Sequence, residues 1–158
     1  MRGHQWKNGG AFAEFVAVDE DALALKPPNL SYVEAAVVPT SGLIVHENLR
    51  GRVQPGQRVL INGAGGGAGI FAVQVAKSFG GHVTAVDAAA KLEMLRSIGA
   101  DEVIDYEKED WTRPSLKYDL LFDVIGDRSL SDSRRVLTRK GGYVLIDHER
   151  FGASGHLP

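Results

Sequence analysis

The stretch from Arg58 to Gly81, RVLINGAGGGAGIFAVQVAKSFGG, leaves few folds open to this chain. It reads as strand, glycine turn, helix. Val59, Leu60 and Ile61 form an apolar, mostly β-branched run between Gly56 and Gly63, which suits a parallel strand covered on both faces. Ala64-x-Gly66-x-x-Gly69 is the dinucleotide fingerprint with alanine in its first place. In that motif Gly66 admits a pyrophosphate to the backbone and Gly69 lets the helix lie close to the strand. Ala68, Phe71, Ala72, Val75 and Phe79 recur at helical spacing, with Gln74, Lys77 and Ser78 off that stripe. Phosphate would sit on the unpaired N–H groups at the helix start, at the positive end of its dipole. A ligand-free tight turn gives the same string of glycines, so the next acid matters. HVTAVD (His82–Asp87) reads as a second strand, and Asp87 lies 21 positions past Gly66, close to the roughly 20 expected of a ribose-binding carboxylate.

The rest of the composition narrows the classes. The chain has 158 residues, 44% of them hydrophobic and 24% charged, enough for one domain with a sizeable core. The net charge of −2 comes without a basic block, which disfavours nucleic acid as a partner. No apolar run is long enough to span a membrane, and no signal peptide is evident. With no cysteine there is no disulfide framework, thiolate nucleophile or cysteine-based zinc site, and a cytoplasmic location fits.

Along the chain, residues 1–10 read as loop or frayed terminus, with His4 and Trp6 partly exposed. AFAEFVAV (Ala11–Val18) alternates as a strand does. Asp19–Asp21 reads as a turn, and Ala22–Lys26 as a short strand stopped by Pro27-Pro28. Ser31-Tyr32-Val33-Glu34 is a capping box opening a helix that runs toward Leu49, with Pro39 kinking or breaking it. After Asp87, Ala88–Ile98 reads as a helix with Leu92, Leu95 and Ile98 inward and Gly99 closing it. Val103-Ile104 is a third strand, and 107–118 a polar connection or irregular helix in which Trp111 reads as a packing anchor. Tyr118–Gly126 is the fourth strand, Ser129–Leu137 a helix, Lys140-Gly141-Gly142 a turn and Tyr143–Asp147 the fifth strand.

Strands alternating with helices mean right-handed βαβ units and an α/β, doubly wound Rossmann sheet of about five parallel strands. The expected strand order is 3-2-1-4-5, with the ligand at the switch point between the first and fourth strands. Asp123, Val124, Ile125 and Gly126 would face that crevice. Residues 1–50 read as a short amino-terminal β/helix segment, and 51–158 as the dinucleotide-binding domain.

Together these segments resemble the medium-chain dehydrogenase/reductase superfamily, above all its zinc-independent quinone oxidoreductase branch. The resemblance is carried by GAFAEFVAVDEDALALKPPNLSYVEAAVVPTSGL, VQPGQRVLINGAGGGAG, MLRSIGADEVIDY and VLTRKGGYVLI. It implies a cofactor domain, with residues 1–50 as its linker and a remnant of a substrate domain that is largely missing. It also implies hydride transfer from NAD or NADP, without zinc, to a quinone or enone, in which proximity and orientation carry much of the catalysis. Carried over by position, Asn62, Gly63, Ala64, Gly65, Gly66, Gly67, Ala68 and Gly69 would cradle the pyrophosphate. Lys91 and Tyr106 fall where NADPH-using relatives place a lysine and a tyrosine around the 2′-phosphate and adenine. Asp87 opposes this, because a carboxylate favours the ribose diol of NAD and repels a 2′-phosphate; the balance tips slightly to NAD.

The sequence also departs from the pattern. Gly42-Leu43-Ile44-Val45 stands where relatives often have Gly-Leu-Thr-Ala, and Asp147-His148 where they commonly have glycine. No catalytic acid–base pair stands out; His46 and the Asp147-His148 pair read more simply as structural or surface groups. A non-catalytic dinucleotide-binding module is therefore the rival reading, and an enoyl reductase a third. The apolar fifth strand at a sheet edge points to a homodimer through that edge.

Overall fold

The structure, a computed structural model, describes residues 14–15 and 17–146. The chain divides into two compact units, Met1–Ala36 and Val37–Pro158.

In the first unit the backbone makes a 3-10 turn at Glu20–Ala22 and a five-residue helix α1 (Tyr32–Ala36). The capping box forms: Ser31 N–H donates to Glu34 Oε2 at 2.8 Å, and Glu34 N–H donates to Ser31 Oγ at 3.2 Å. Hydrogen bonds from Ser31, the backbone one foremost, hold the Glu34 carboxyl below its ordinary range. Ala11–Ala13 and Val16 of the expected first strand lie outside the described residues. The described remainder of that stretch, and Leu23–Lys26, form no strand; no strand among the described residues of this unit offers its backbone a ladder.

The second unit opens with α2 (Val38–Leu49). Pro39 breaks the expected single helix rather than kinking it. A proline cannot supply the N–H an interior turn needs, but it fits the first turn of a new helix, where it sits. Then follow β1 (Arg58–Asn62), α3 (Gly67–Ser78), β2 (His82–Asp87), α4 (Leu92–Ser97), β3 (Glu102–Asp105), β4 (Tyr118–Asp123), α5 (Leu130–Val136) and β5 (Leu137–Leu145). All four strand pairings are parallel, and the order is β3-β2-β1-β4-β5. The doubly wound Rossmann sheet is thus as the alternation of elements implied.

Both faces of the central strands β1, β2 and β4 are buried, and the alternation of side chains sorts them. Val59 and Ile61, Val83 and Ala85, and Leu120 and Phe122 point to one side, where Val45 and Leu49 of α2, Ala72, Val73 and Ala76 of α3 and Leu95 of α4 cover them. Leu60, Val86 and Leu121 point to the other, under Trp111, Tyr118 and Val136. Trp111 is the packing anchor expected of it, 2% exposed.

Three elements differ in detail. The buried stripe of α3 is centred on Gly69, Ala72, Val73 and Ala76, with Phe71 and Val75 only partly buried at its margin. Two layers meet this helix, the sheet and α2, so its buried face is rotated from the one the bulky residues mark. The helix after Asp87 begins as a 3-10 turn at Ala89–Lys91 before α4. Lys140-Gly141-Gly142 is no separate turn: β5 already starts at Leu137, opposite Tyr118, and resumes at Gly142, opposite Leu120. The excess residues bulge, and Gly141 permits the bend, since a Cβ there would lie 2.9 Å from Tyr118 O. Asp147 and His148 lie outside the described residues. No helix among the described residues is long and apolar enough to cross a membrane.

Candidate functional site

β1 is flanked by β2 on one side and β4 on the other, and the helices that follow β1 and β4 pack on opposite faces of the sheet, an arrangement that opens a crevice at the carboxyl ends of these two strands. The glycine turn lies there. Gly63 has φ +78°, a region that favours glycine. The N–H groups of Gly63 and Ala64 both donate to Val86 O at 3.1 Å, fastening the turn to β2. Gly66 N–H returns to Gly63 O at 3.2 Å, and the first bond of α3 runs from Ile70 N–H to Gly66 O at 3.0 Å. The N–H groups of Gly67, Ala68 and Gly69 therefore precede any carbonyl of their own helix.

Each glycine has its own reason. A Cβ at Gly69 would lie 2.5 Å from Ala64 O and closer still to Gly63 O, which is the close helix–strand approach the fingerprint implies. A Cβ at Gly65 would lie 2.9 Å from Asp87 Oδ2 and press on the Lys91 side chain. The fingerprint treats position 65 as free, so its constraint was invisible in the motif. At Gly66 the nearest atom would be Gly63 O at 3.4 Å, and at Gly67 Ser41 Oγ at 3.6 Å.

Asp87, 6% exposed, ends β2. Gly65 N–H donates to its Oδ2 at 2.7 Å and Ala88 N–H to its Oδ1 at 2.9 Å. Lys91 Nζ lies 3.2 Å from Oδ1, and the lysine side chain is 46% exposed. Tyr106 follows β3, next to β2; its N–H donates to Asp87 O at 3.4 Å while its ring is half exposed. One residue earlier, the hydrogen bond from Lys108, with help from Glu107 N–H, holds the Asp105 carboxyl below its usual value. Gly65, Asp87, Lys91 and Tyr106 thus form one lip of the crevice. Ile125 and Val124 form the other, beside Gly63: a Cβ there would meet Ile125 Cγ1 at 2.7 Å and Val124 Cβ at 3.4 Å.

Asn62 and Asp123 turn inward instead. The Asn62 amide donates to Asp123 Oδ1 at 2.9 Å and to Asp127 Oδ1 at 3.2 Å. Asp123 is fully buried, so its side chain does not face the crevice as the strand-end position suggested. Polar residues closing two adjacent strands were the available signal for this pair. His46, on α2, contacts the Phe79 ring 6.1 Å away. Among the described residues no group of three or more His, Cys, Asp or Glu side chains is placed to hold a metal ion.

Residues 67–148 match the zinc-binding dehydrogenase family. A 2-methylene-furan-3-one reductase of Solanum lycopersicum is 36% identical over 143 residues, 89% of this chain. An NADPH-dependent alkenal/one oxidoreductase, chloroplastic, of Arabidopsis thaliana is 38% identical over 142 residues, 88% of this chain. The chain spans only 36% of the length of each of these relatives. Among solved structures, the quinone oxidoreductase from Thermus thermophilus, described alone and in complex with NADPH, superposes with a TM-score of 0.79 at 33% identity. That likeness covers 88% of this chain and 48% of the Thermus chain. By strand order, glycine turn and these likenesses, the chain belongs to the zinc-binding dehydrogenase family of the medium-chain dehydrogenase/reductase superfamily, among its quinone oxidoreductase-like members.

Proposed function

We propose that this chain binds a nicotinamide dinucleotide at the glycine turn and serves hydride transfer to a quinone or enone. The observation that carries the reading is Gly66. Its own surroundings would accept a Cβ, with nothing nearer than 3.4 Å, yet the position is glycine, beside helix N–H groups that have no carbonyl partner in their helix. A phosphate set against that backbone supplies the missing reason. The cradle therefore fits the group that the family implies.

In this reading Gly63, Ala64, Gly65, Gly66, Gly67, Ala68 and Gly69 hold the pyrophosphate, with Asn62 supporting the turn from beneath. Asp87, Lys91 and Tyr106 take the adenosine end, and Val124 and Ile125 wall the crevice. The bound nicotinamide supplies the hydride; the protein orients it and keeps water away. Lys91 neutralises Asp87 and is free to swing, so the lip admits either NADH or NADPH, and the carboxylate at the strand end tips the balance to NADH. The names of the Arabidopsis relative and the Thermus complex support NADPH, which makes the ratio of the two affinities worth measuring. The cysteine-free donor set supports a zinc-free site. Residues 1–50 act as linker in this reading, and the compartment is the cytosol, a point that cell fractionation decides.

Oxidation of NADH and NADPH, followed optically with a panel of quinones and enones, tests the catalytic claim; no turnover with any pair refutes it for this chain. Tight calorimetric binding without turnover favours the rival reading, a non-catalytic dinucleotide-binding module. Ile44, where the family pattern has threonine, speaks for that reading.

A further inference from the structure

The buried carboxylate of Asp123 has no place in the chemistry above, yet no side chain near the crevice is better connected. Its Oδ1 accepts from the Asn62 amide at 2.9 Å, Ile125 N–H at 3.1 Å and Gly126 N–H at 3.0 Å. Its Oδ2 accepts from the Tyr143 hydroxyl at 3.1 Å. A fully buried carboxylate is costly unless its lone pairs are met, and four donors meet them here. These donors come from the end of β1, the turn after β4, and β5. The backbone adds two more ties, Val124 N–H to Asn62 O at 3.0 Å and Ile146 N–H to Asp123 O at 2.9 Å. Within this clamp Gly126 takes φ +68°, and Ile125 comes to rest against Gly63 with no room for a methyl group between them.

We propose that Asp123 is a positioning residue: its carboxylate fixes the turn at 124–126, which holds Ile125 over Gly63 as a preset wall of the cofactor crevice. Two of its bonds go to the N–H groups of Ile125 and Gly126 in that turn. Charge-assisted bonds of this kind are about twice as strong as neutral ones. The wall is therefore in place before ligand arrives, and binding does not have to order it. The proposal rests on the dinucleotide reading, and its test separates the two.

The experiment uses the full chain and two variants, Asp123→Asn, nearly isosteric but neutral, and Tyr143→Phe, which keeps the carboxylate and its turn bonds. Amide hydrogen exchange of Ile125 and Gly126 is measured without ligand, with the amides of β2 and β3 as internal reference. NADH and NADPH titrations follow. Asp123→Asn is expected to speed exchange at the turn by about tenfold, leave β2 and β3 unchanged, and weaken both dinucleotides by a similar factor; Tyr143→Phe changes each less. A variant that merely loosened the fold would speed exchange in β2 and β3 as well. Unchanged exchange at Ile125 and Gly126 overturns the clamp, and faster exchange with unchanged affinity overturns its role in the crevice. Should Asp123→Asn fail to fold, the wild-type chain alone decides: Ile125 and Gly126 amides that exchange at the unprotected rate without ligand overturn the clamp. A wild-type chain that binds neither dinucleotide overturns the underlying reading, whatever the exchange result.

Discussion

Gly67 and Gly69 both stand in the first turn of α3, and alanine at each has opposite consequences. Neither has a positive φ, so the difference is purely one of space. At Gly69 the new methyl would meet Ala64 C and O at 2.5 Å and Gly63 O more closely still. All three are backbone atoms, held by the bonds from Gly63 and Ala64 to Val86 O, so relief requires α3 to lift from β1. Ala72, Val73 and Ala76, all fully buried, would lose contact together. Overpacking of this kind costs about 1–3 kcal/mol, and against backbone on both sides the upper end applies. Alanine's better helix propensity and the stiffer unfolded chain return about 0.5–1 kcal/mol. The net loss for Gly69→Ala is then about 2 kcal/mol, a fall in melting temperature of roughly 4–8 °C for a chain of this size. At Gly67 the nearest atom is Ser41 Oγ at 3.6 Å, an ordinary contact, so Gly67→Ala gains about 0.5 kcal/mol. Urea unfolding followed by circular dichroism, with the slope unchanged between variants, reads both. Equal stabilities for the two variants would refute the steric argument. Gly66→Ala adds a third arm: stability is expected within about 0.5 kcal/mol of wild type, while dinucleotide affinity falls.

Asp87→Ala frees Lys91 and leaves Gly65 N–H without its acceptor, so NADH binding should weaken about tenfold or more. NADPH should gain relative to NADH; an equal loss for both would assign Asp87 to the loop alone. At Asp101, burial pushes the carboxyl up, but hydrogen bonds from Lys77 and Val83 N–H and the charges of Lys77 and His82 outweigh it and leave it below its ordinary value. A carboxyl lowered by folding takes up its proton more readily in the unfolded chain. Its stabilisation is whole above the unfolded value near 3.8 and is lost as pH falls through the folded one. Asp101→Asn should therefore flatten the acid limb of the stability curve below that value, and superimposable limbs would contradict the assignment. Among the described residues β5 pairs only with β4, so a dimer through its free edge is expected in light scattering, and a monomer at high concentration would count against it.

The periodic and chemically singular parts of the fold were legible. Apolar runs marked β1, β2 and β4, and the spacing from Gly66 to Asp87 marked the acid at the end of β2, because each signal is local. Ser129, which opens the expected helix, caps α5 by accepting from Asp132 N–H at 3.2 Å. What escaped depends on distant partners. The buried face of α3 is set by α2 as well as the sheet, the need for glycine at 65 by Asp87 and Lys91, and the inward turn of Asp123 by donors from β1, β5 and the turn between β4 and α5. Asp147 and His148, singled out as departures from the family pattern, lie outside the described residues.

The strand order also bears on how this chain folds. β1 pairs with β2 through residues such as Arg58 and His82, and β4 with β5 through Leu120 and Gly142, each a closure of little more than 20 residues. β1 and β4 meet across 61 residues, the separation of Asn62 and Asp123. Chain entropy makes that longer closure about 0.8 kcal/mol more costly, before any contact across it forms. Two halves, β1-β2-β3 and β4-β5, are thus favoured to assemble first and dock afterwards. The Asn62–Asp123 bond is the rivet of that docking, and the crevice at the seam comes into being only when the halves join.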